Sequence, residues 1–96
     1  MELKELCKES HKIAKEKGFY DRDRDIPELL MLCVSELGEA CEADRHGDWE
    51  MFKEEIADTF IRLADMCEFL EIDIEEEIER KSKINKKRQY RHGKRY

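Results

Sequence analysis

The sequence contains few of the residues that interrupt helices, with four glycines and one proline in 96 residues. It also lacks any apolar run near the roughly 20 residues that a membrane span requires. The first residues, MELKELCKES, are charged and have no apolar signal-peptide core. We therefore expect a single all-α domain over residues 1–96 that is cytoplasmic and does not bind a membrane.

The four cysteines have neither C-x-x-C spacing nor histidines clustered near them. A zinc or redox site is therefore not expected. Three of the cysteines fall on apolar helix faces and are expected in the core; these are Cys33, Cys41 and Cys67.

Charge is the most abundant property of the chain, since 46% of its residues are Asp, Glu, Lys or Arg. Residues 1–79 hold all 25 acidic and 10 basic side chains, a net charge of −15. Residues 80–96 hold 9 basic side chains and no acidic one, a net charge of +9. An acidic body with a basic tail at 86–96 indicates that the tail either neutralises its own domain or contacts an anion.

Apolar periodicity and capping residues predict four helices, over residues 2–17, 27–46 and 49–70 and from Asp73 to about Asn85. Gly47 between the second and third helices predicts a central antiparallel helical hairpin. The second helix has a broad apolar face, and the third a core stripe. The face comprises Leu29, Leu30, Cys33, Val34, Leu37, Ala40 and Cys41, and the stripe Trp49, Phe52, Ile56, Phe60, Leu63 and Cys67.

The third helix also carries large apolar residues away from its core stripe, namely Met51, Ile61 and Phe69. A helix that is apolar on two sides in a domain this small needs a second packing partner. We therefore expect an oligomer, either a homodimer or a homotetramer.

Two acidic pairs lie at equal distances from the predicted turn. Glu39 is eight residues before Gly47 and Glu55 eight after it, whereas Glu36 is eleven before and Asp58 eleven after. In an antiparallel hairpin equal offsets mean equal heights, so the four carboxylates should converge about 12 to 16 Å from the turn.

Four converging carboxylates cannot all remain ionised without a counter-charge. Hard oxygen ligands with no His or Cys among them suit Mg²⁺, for which Mn²⁺ is a possible substitute, or Ca²⁺. The sequence therefore predicts a divalent cation at this level of the hairpin.

The segment LMLCVSELGEACEADRHGDWEMFKEEIAD resembles the E-x-x-E then E-x-x-D signature of the MazG-like nucleotide pyrophosphohydrolases. RLADMCEFLEIDIEEEIERKSKINKKRQYRHGK resembles the close of the small single-domain members, so the likeness covers roughly residues 18 to 95. The resemblance implies a four-helix MazG-like fold that oligomerises. It also implies Mg²⁺-dependent hydrolysis of a nucleoside or deoxynucleoside triphosphate to the monophosphate and pyrophosphate.

By motif match, the resemblance makes Glu36, Glu39, Glu55 and Asp58 the catalytic metal ligands. Small members of the family place a Lys and an Asn, four residues apart, against the substrate. Lys81 and Asn85 have this spacing, on a stripe of the fourth helix that is expected to face inward. Arg88 and the tail would add positive charge near the phosphates.

Two alternatives remain open. The first keeps the fold and changes the substrate to phosphoribosyl-ATP, because the related histidine-pathway enzymes share the acidic set. The second is a non-enzymatic helical adaptor that binds RNA through the basic tail. Nucleic-acid binding is disfavoured, because the acidic body would repel a polyanion and the adaptor leaves the carboxylates unexplained.

Three further polar residues are expected to have secondary roles. Arg62 is expected to pair with Asp58 or Asp65 on its own helix. Asp65 is placed outside the metal set, and His11 is expected at the surface.

Overall fold

The computed structural model describes residues 1–88 and consists of four helices. These are α1 (Leu3–Glu16), α2 (Ile26–Arg45), α3 (Trp49–Phe69) and α4 (Ile74–Lys87). No β-strand occurs between residues 1 and 88. The all-α class and the four predicted helices are thus confirmed, with boundaries within two residues of prediction. Residues 89–96 of the basic tail lie outside the described part of the chain.

The helix boundaries follow from local backbone chemistry. An aspartate side chain before each of α2, α3 and α4 accepts a hydrogen bond from a first-turn backbone N–H, at 2.9, 3.0 and 3.1 Å respectively. These caps are Asp25, Asp48 and Asp73. Gly18 and Gly47 adopt positive φ angles of 89° and 68° just after α1 and α2. Only glycine enters this region readily, so both helices end there.

The helices α2 and α3 form an antiparallel hairpin, and α1 packs along α3. Contacts between the hairpin's middle turns fix the register, since Arg62 on α3 reaches Glu36 on α2. Cys7 on α1 packs with Ala64 and Cys67 on α3 in a small buried cluster. This register brings the predicted acidic pairs to the same part of the hairpin.

The predicted apolar core of the hairpin is wrong in its width, because only part of each predicted face is buried. On α2, Cys41 and three large residues of the predicted face are exposed: Leu30 at 43%, Val34 at 53% and Leu37 at 46%. The buried row is instead Leu29, Cys33, Glu36, Ala40 and Ala43. These positions recur every three or four residues, as expected for the strip of a helix that meets one neighbour. The apolar face is broader than that strip.

Part of the predicted core stripe of α3 is also exposed. Cys67 is buried, but Trp49 and Phe60 are each 62% exposed and Leu63 is 39% exposed. Advancing each helix by about 100° per residue places these side chains and the exposed α2 residues on one side of the hairpin. We call this exposed apolar face, comprising Leu30, Val34, Leu37, Trp49, Phe60 and Leu63, the open face.

Helix α4 is partly buried against the rest of the domain only at its first residue. Ile74 packs against the buried cysteine cluster, but every residue from 75 to 88 is exposed, including Ile78 at 49%. The expectation that the stripe through Ile78 faces inward is therefore wrong, because α4 packs against α1 only near its own start. Across residues 1–88, no helix combines the length and apolarity needed to span a bilayer.

Candidate metal centre

Three of the four predicted carboxylates converge. Glu36, Glu39 and Glu55 each contribute an oxygen, and these atoms lie within 4.8 Å of one another. Glu36 and Glu39 are one turn apart on α2, and the turn at Gly47 brings Glu55 on α3 to their level. We call these three residues the acidic trio.

Glu55 is the most perturbed member of the acidic trio. It is only 8% exposed, and its buried Oε2 has no hydrogen-bond partner among the described residues. The nearby carboxyl group of Glu36, followed in size of effect by that of Glu39 and by burial, raises the pKa of Glu55 to about 7. An unpartnered carboxylate oxygen in a buried position is costly unless a cation or proton compensates it. A hard divalent cation fits this donor set.

The pKa of Glu36 is shifted in the opposite direction. The Nε of Arg62 donates to Glu36 Oε1 at 2.9 Å, and this contact is the main reason why the pKa of Glu36 is lowered. The prediction that Arg62 pairs with Asp58 or Asp65 is wrong. Arg62 faces α2, where Glu36 lies in the buried row, so the ion pair joins the two helices instead of running along one.

Asp58 is not part of the acidic trio. It is exposed on α3 and, together with Glu36, lines a cavity of about 350 Å³ between α1 and α3. We call this space the α1–α3 cavity. Its other lining residues are Ser10, Ile13, Ala14, Lys17, Phe19, Ile61, Arg62 and Asp65.

A second cavity, of about 390 Å³, is lined by Glu39 and Glu55 together with Ala43, Met51 and other residues near the hairpin turn. Glu36 lines the first cavity, and the other two members of the acidic trio line the second. The trio therefore lies between two concave surfaces, either of which can receive part of a bound molecule.

Asp65 anchors a polar cluster at the α1–α3 cavity. Its Oδ1 lies 2.8 Å from Nδ1 of His11, and its Oδ2 accepts a hydrogen bond of 2.9 Å from the Tyr20 hydroxyl. Asp65 is 8% exposed, and burial together with this hydrogen bond raises the pKa of Tyr20. The expectation of a surface His11 is wrong, since its side chain is 17% exposed.

This cluster has one signal in the sequence. Asp65 follows Asp58 by seven residues, or two helical turns, so both belong to one side of α3. The partners on α1 and in the α1–α2 loop are distant in sequence, and no periodicity links them to Asp65.

Aromatic contacts support the loop at this end of the cavity. The ring of Tyr20 stacks on Phe69, with centroids 4.6 Å apart. The Arg24 guanidinium lies 3.9 Å from the Phe19 ring centroid, and its Nε donates to the Phe19 carbonyl at 2.7 Å. Phe19 and its neighbour Tyr20 are therefore held by contacts within the loop and with α3.

The predicted substrate-binding residues are not at this site within one chain. Lys81, Asn85 and Arg88 are exposed, and none of them lines the α1–α3 cavity. Among the described residues α4 packs mainly against α1, and its exposed side chains contribute to neither cavity beside the acidic trio.

Comparison of the chain with models of protein families, with curated proteins and with solved structures finds no significant match.

Proposed function

We propose that the protein is a MazG-like, Mg²⁺-dependent pyrophosphohydrolase that cleaves a nucleoside or deoxynucleoside triphosphate to the monophosphate and pyrophosphate. The observation that carries this proposal is the unpartnered, buried Oε2 of Glu55 within a group of three carboxylates. A solvated acidic surface would leave these oxygens in water. Glu36 and Glu55 are instead buried beside two cavities, which a bound cation explains better.

In this proposal Glu36, Glu39 and Glu55 hold Mg²⁺, and Asp58 completes the ligand set from the cavity wall. When bound, the ion supplies positive charge to phosphate oxygens and lowers the pKa of a coordinated water. Arg62 holds Glu36 in its ionised state, which is the state needed for ligation. Without a cation, the acids would instead repel a triphosphate.

The two alternatives are less well supported. An RNA-binding adaptor gives no role to the buried carboxylates, which face a cavity. Phosphoribosyl-ATP hydrolysis uses the same acidic set, so substrate assays must separate it from action on ordinary triphosphates.

The oligomeric state in the proposal is a homodimer or homotetramer assembled through the open face. Phe60 and Leu63 on α3 and Val34 on α2 would be covered by the same residues of a second copy. Exposed apolar surface of this extent on a small domain is typical of an interaction site.

The proposed roles of Lys81, Asn85 and Arg88 then require a second copy. Since these exposed side chains line neither cavity of their own chain, they would reach the phosphates bound by another subunit. A Lys or Arg contact to a phosphate is a charge-assisted hydrogen bond, which strengthens binding of the triphosphate.

A turnover panel tests the function. Purified protein is assayed for pyrophosphate release from canonical triphosphates and from phosphoribosyl-ATP, with Mg²⁺ or with EDTA. Glu36→Gln should abolish release. Glu54→Gln, at an exposed position of α3 that lines neither cavity, is the matched control and should retain it. Equal activity of these two variants would contradict the proposal.

A further inference from the structure

The part of a nucleotide that carries no charge also needs a binding site. The α1–α3 cavity has a volume of about 350 Å³, within the range of small-ligand sites. Carbon atoms of Ile13, Ala14, Phe19 and Ile61 form much of its wall. Apolar and aromatic walls of this kind suit a flat heterocyclic ring.

Electrostatics argues against a triphosphate inside this cavity. Three carboxylates line it, those of Glu36, Asp58 and Asp65. Two basic residues line the cavity, Arg62 and Lys17. Arg62 is already paired with Glu36, so Lys17 is the remaining positive charge among the lining residues. Away from Glu36 and Asp58, the proposed metal ligands, the Asp65 carboxylate would repel a polyanion but not an uncharged ring.

The polar residues of the cavity are spaced over a distance comparable to the length of a nucleotide. Glu36 belongs both to the acidic trio and to the cavity wall, so the two sites are continuous. Asp58 and Asp65 are seven residues apart on α3, which separates them by about 10 Å along the helix. Phosphates held by the metal at Glu36 and Asp58 would place the base near Asp65, about two turns further along α3.

We propose that the α1–α3 cavity binds the nucleobase of the substrate, and that Asp65 selects bases that carry an exocyclic amino group. This inference rests on the proposed function. It assigns a specificity-determining role to a residue outside the metal set.

The acceptor capacity of Asp65 supports this selection. A carboxylate can accept about four hydrogen bonds, and Asp65 accepts one from Tyr20 and pairs with His11 through its other oxygen. Each oxygen keeps a lone pair, and the carboxylate lines the cavity. An amino group can donate to it, as cytosine N4 does to acidic side chains. A keto oxygen at the same position would place two acceptors face to face.

A pair of substrates that share the sugar, the triphosphate and the rest of the ring, and differ at C4 and in the hydrogen on N3, gives the sharpest test. dCTP carries an amino group where dUTP carries an oxygen. We expect kcat/KM for dCTP to exceed that for dUTP by at least about tenfold, the value of one hydrogen bond to a charged group. The ratio does not depend on the fraction of active enzyme. A ratio near one, or in favour of dUTP, would overturn the inference.

Variants assign the preference to a residue. Asp65→Asn keeps the size of the side chain and should bring the dCTP/dUTP ratio close to one. Tyr20→Phe removes a donor to Asp65 but leaves the carboxylate, so the ratio should persist even if the protein is less stable. An unchanged ratio in folded Asp65→Asn would refute selection by Asp65.

A further variant covers the case in which Asp65→Asn does not fold. Ala14→Leu adds carbon atoms inside the cavity and should raise KM for both substrates with little change in their ratio. An unaltered KM would place the base elsewhere.

Nucleoside binding separates failure of this inference from failure of the proposed function. Deoxycytidine, which has no phosphate, should shift the NMR methyl signals of Ile13 and Ile61 more strongly than deoxyuridine does. If deoxycytidine binds in this way but no triphosphate is hydrolysed, the proposed function alone is wrong. If triphosphates are hydrolysed without base preference and neither nucleoside shifts these signals, the base-binding inference alone is wrong.

Discussion

Arg62 donates from Nε to Oε1 of Glu36 at 2.9 Å and thereby links α3 to α2 beside the acidic trio. When no metal is bound, the Arg62 guanidinium places a positive charge beside the carboxylate of Glu36. It keeps Glu36 ionised through its hydrogen bond and its charge. Arg62 therefore stabilises the metal-free hairpin, and its loss should be partly offset by a divalent cation.

Arg62→Gln tests this role. In EDTA we expect a loss of about 1 kcal/mol, because the Arg62 side chain is 36% exposed and solvent weakens the pair. In a chain of this size that loss lowers Tm by several degrees. The rise in Tm on adding Mg²⁺ should be larger than in wild type. Arg62→Lys, which keeps the charge, is the control, and an Arg62→Gln variant as stable as wild type in EDTA would contradict this role.

Glu55 makes the metal-free protein less stable as the pH rises. Its pKa is about 7 in the folded protein and 4.5 in the unfolded chain. Between these values the folded state binds more protons, so its stability falls with increasing pH. Urea unfolding in EDTA across this interval should show the fall in wild type. Glu55→Gln should flatten it, and Glu54→Gln, at an exposed neighbouring position, should not. A wild-type stability that rises over the interval would disprove the assignment.

Metal affinity should follow the opposite course. Glu55 must lose its proton to bind a cation, so Mg²⁺ affinity should increase as the pH passes through about 7. Isothermal titration calorimetry in buffers of different ionisation enthalpy measures both the affinity and the protons released. Affinity that does not change with pH, with no proton release near neutrality, would exclude Glu55 as a ligand.

If the subunits meet through the open face, a charge placed within that face should dissociate the oligomer. Leu30→Glu places a carboxylate within this face and should convert the protein to a monomer, as measured by light scattering. Ser35→Glu adds the same charge at an exposed position of α2 outside the open face and should leave the mass unchanged. A wild-type mass of one chain at micromolar concentration would contradict the proposed assembly.

Sharing of α4 between subunits predicts complementation. Lys81→Ala lacks a phosphate contact, and Glu36→Gln lacks a metal ligand. Co-expressed, they should form mixed dimers in which one site has both residues, restoring roughly a quarter of wild-type activity. Pyrophosphate release no greater than the sum of the separately purified variants would show that Lys81 does not serve another subunit's site.

The sequence predicted the helices and the convergence of three of the four expected carboxylates, because both depend on short-range rules. Aspartate caps and positive-φ glycines act within one turn, and the turn at Gly47 converts sequence offsets into heights on the hairpin. Glu39 and Glu55, which have equal offsets, are therefore found together. Asp58 is at the predicted height but belongs to the cavity wall, because height does not fix the direction of a side chain.

The remaining features depend on how the helices pack. Periodicity identifies an apolar face but not how much of it one neighbour covers, so Val34 and Phe60 were expected in the core although they are exposed. The Asp65 cluster joins α3 to His11 and Tyr20, which are more than forty residues away in sequence. The direction of α4 likewise follows from packing near Ile74 and not from its own pattern.

Pyrophosphate release by the wild-type protein, assayed with Mg²⁺ and with excess EDTA beside Glu55→Gln, tests the central claim most directly. The account predicts pyrophosphate and nucleoside monophosphate in equal amounts with Mg²⁺, none with EDTA, and none from folded Glu55→Gln. Release that persists in EDTA, or full activity of Glu55→Gln, would contradict a metal centre built on the acidic trio.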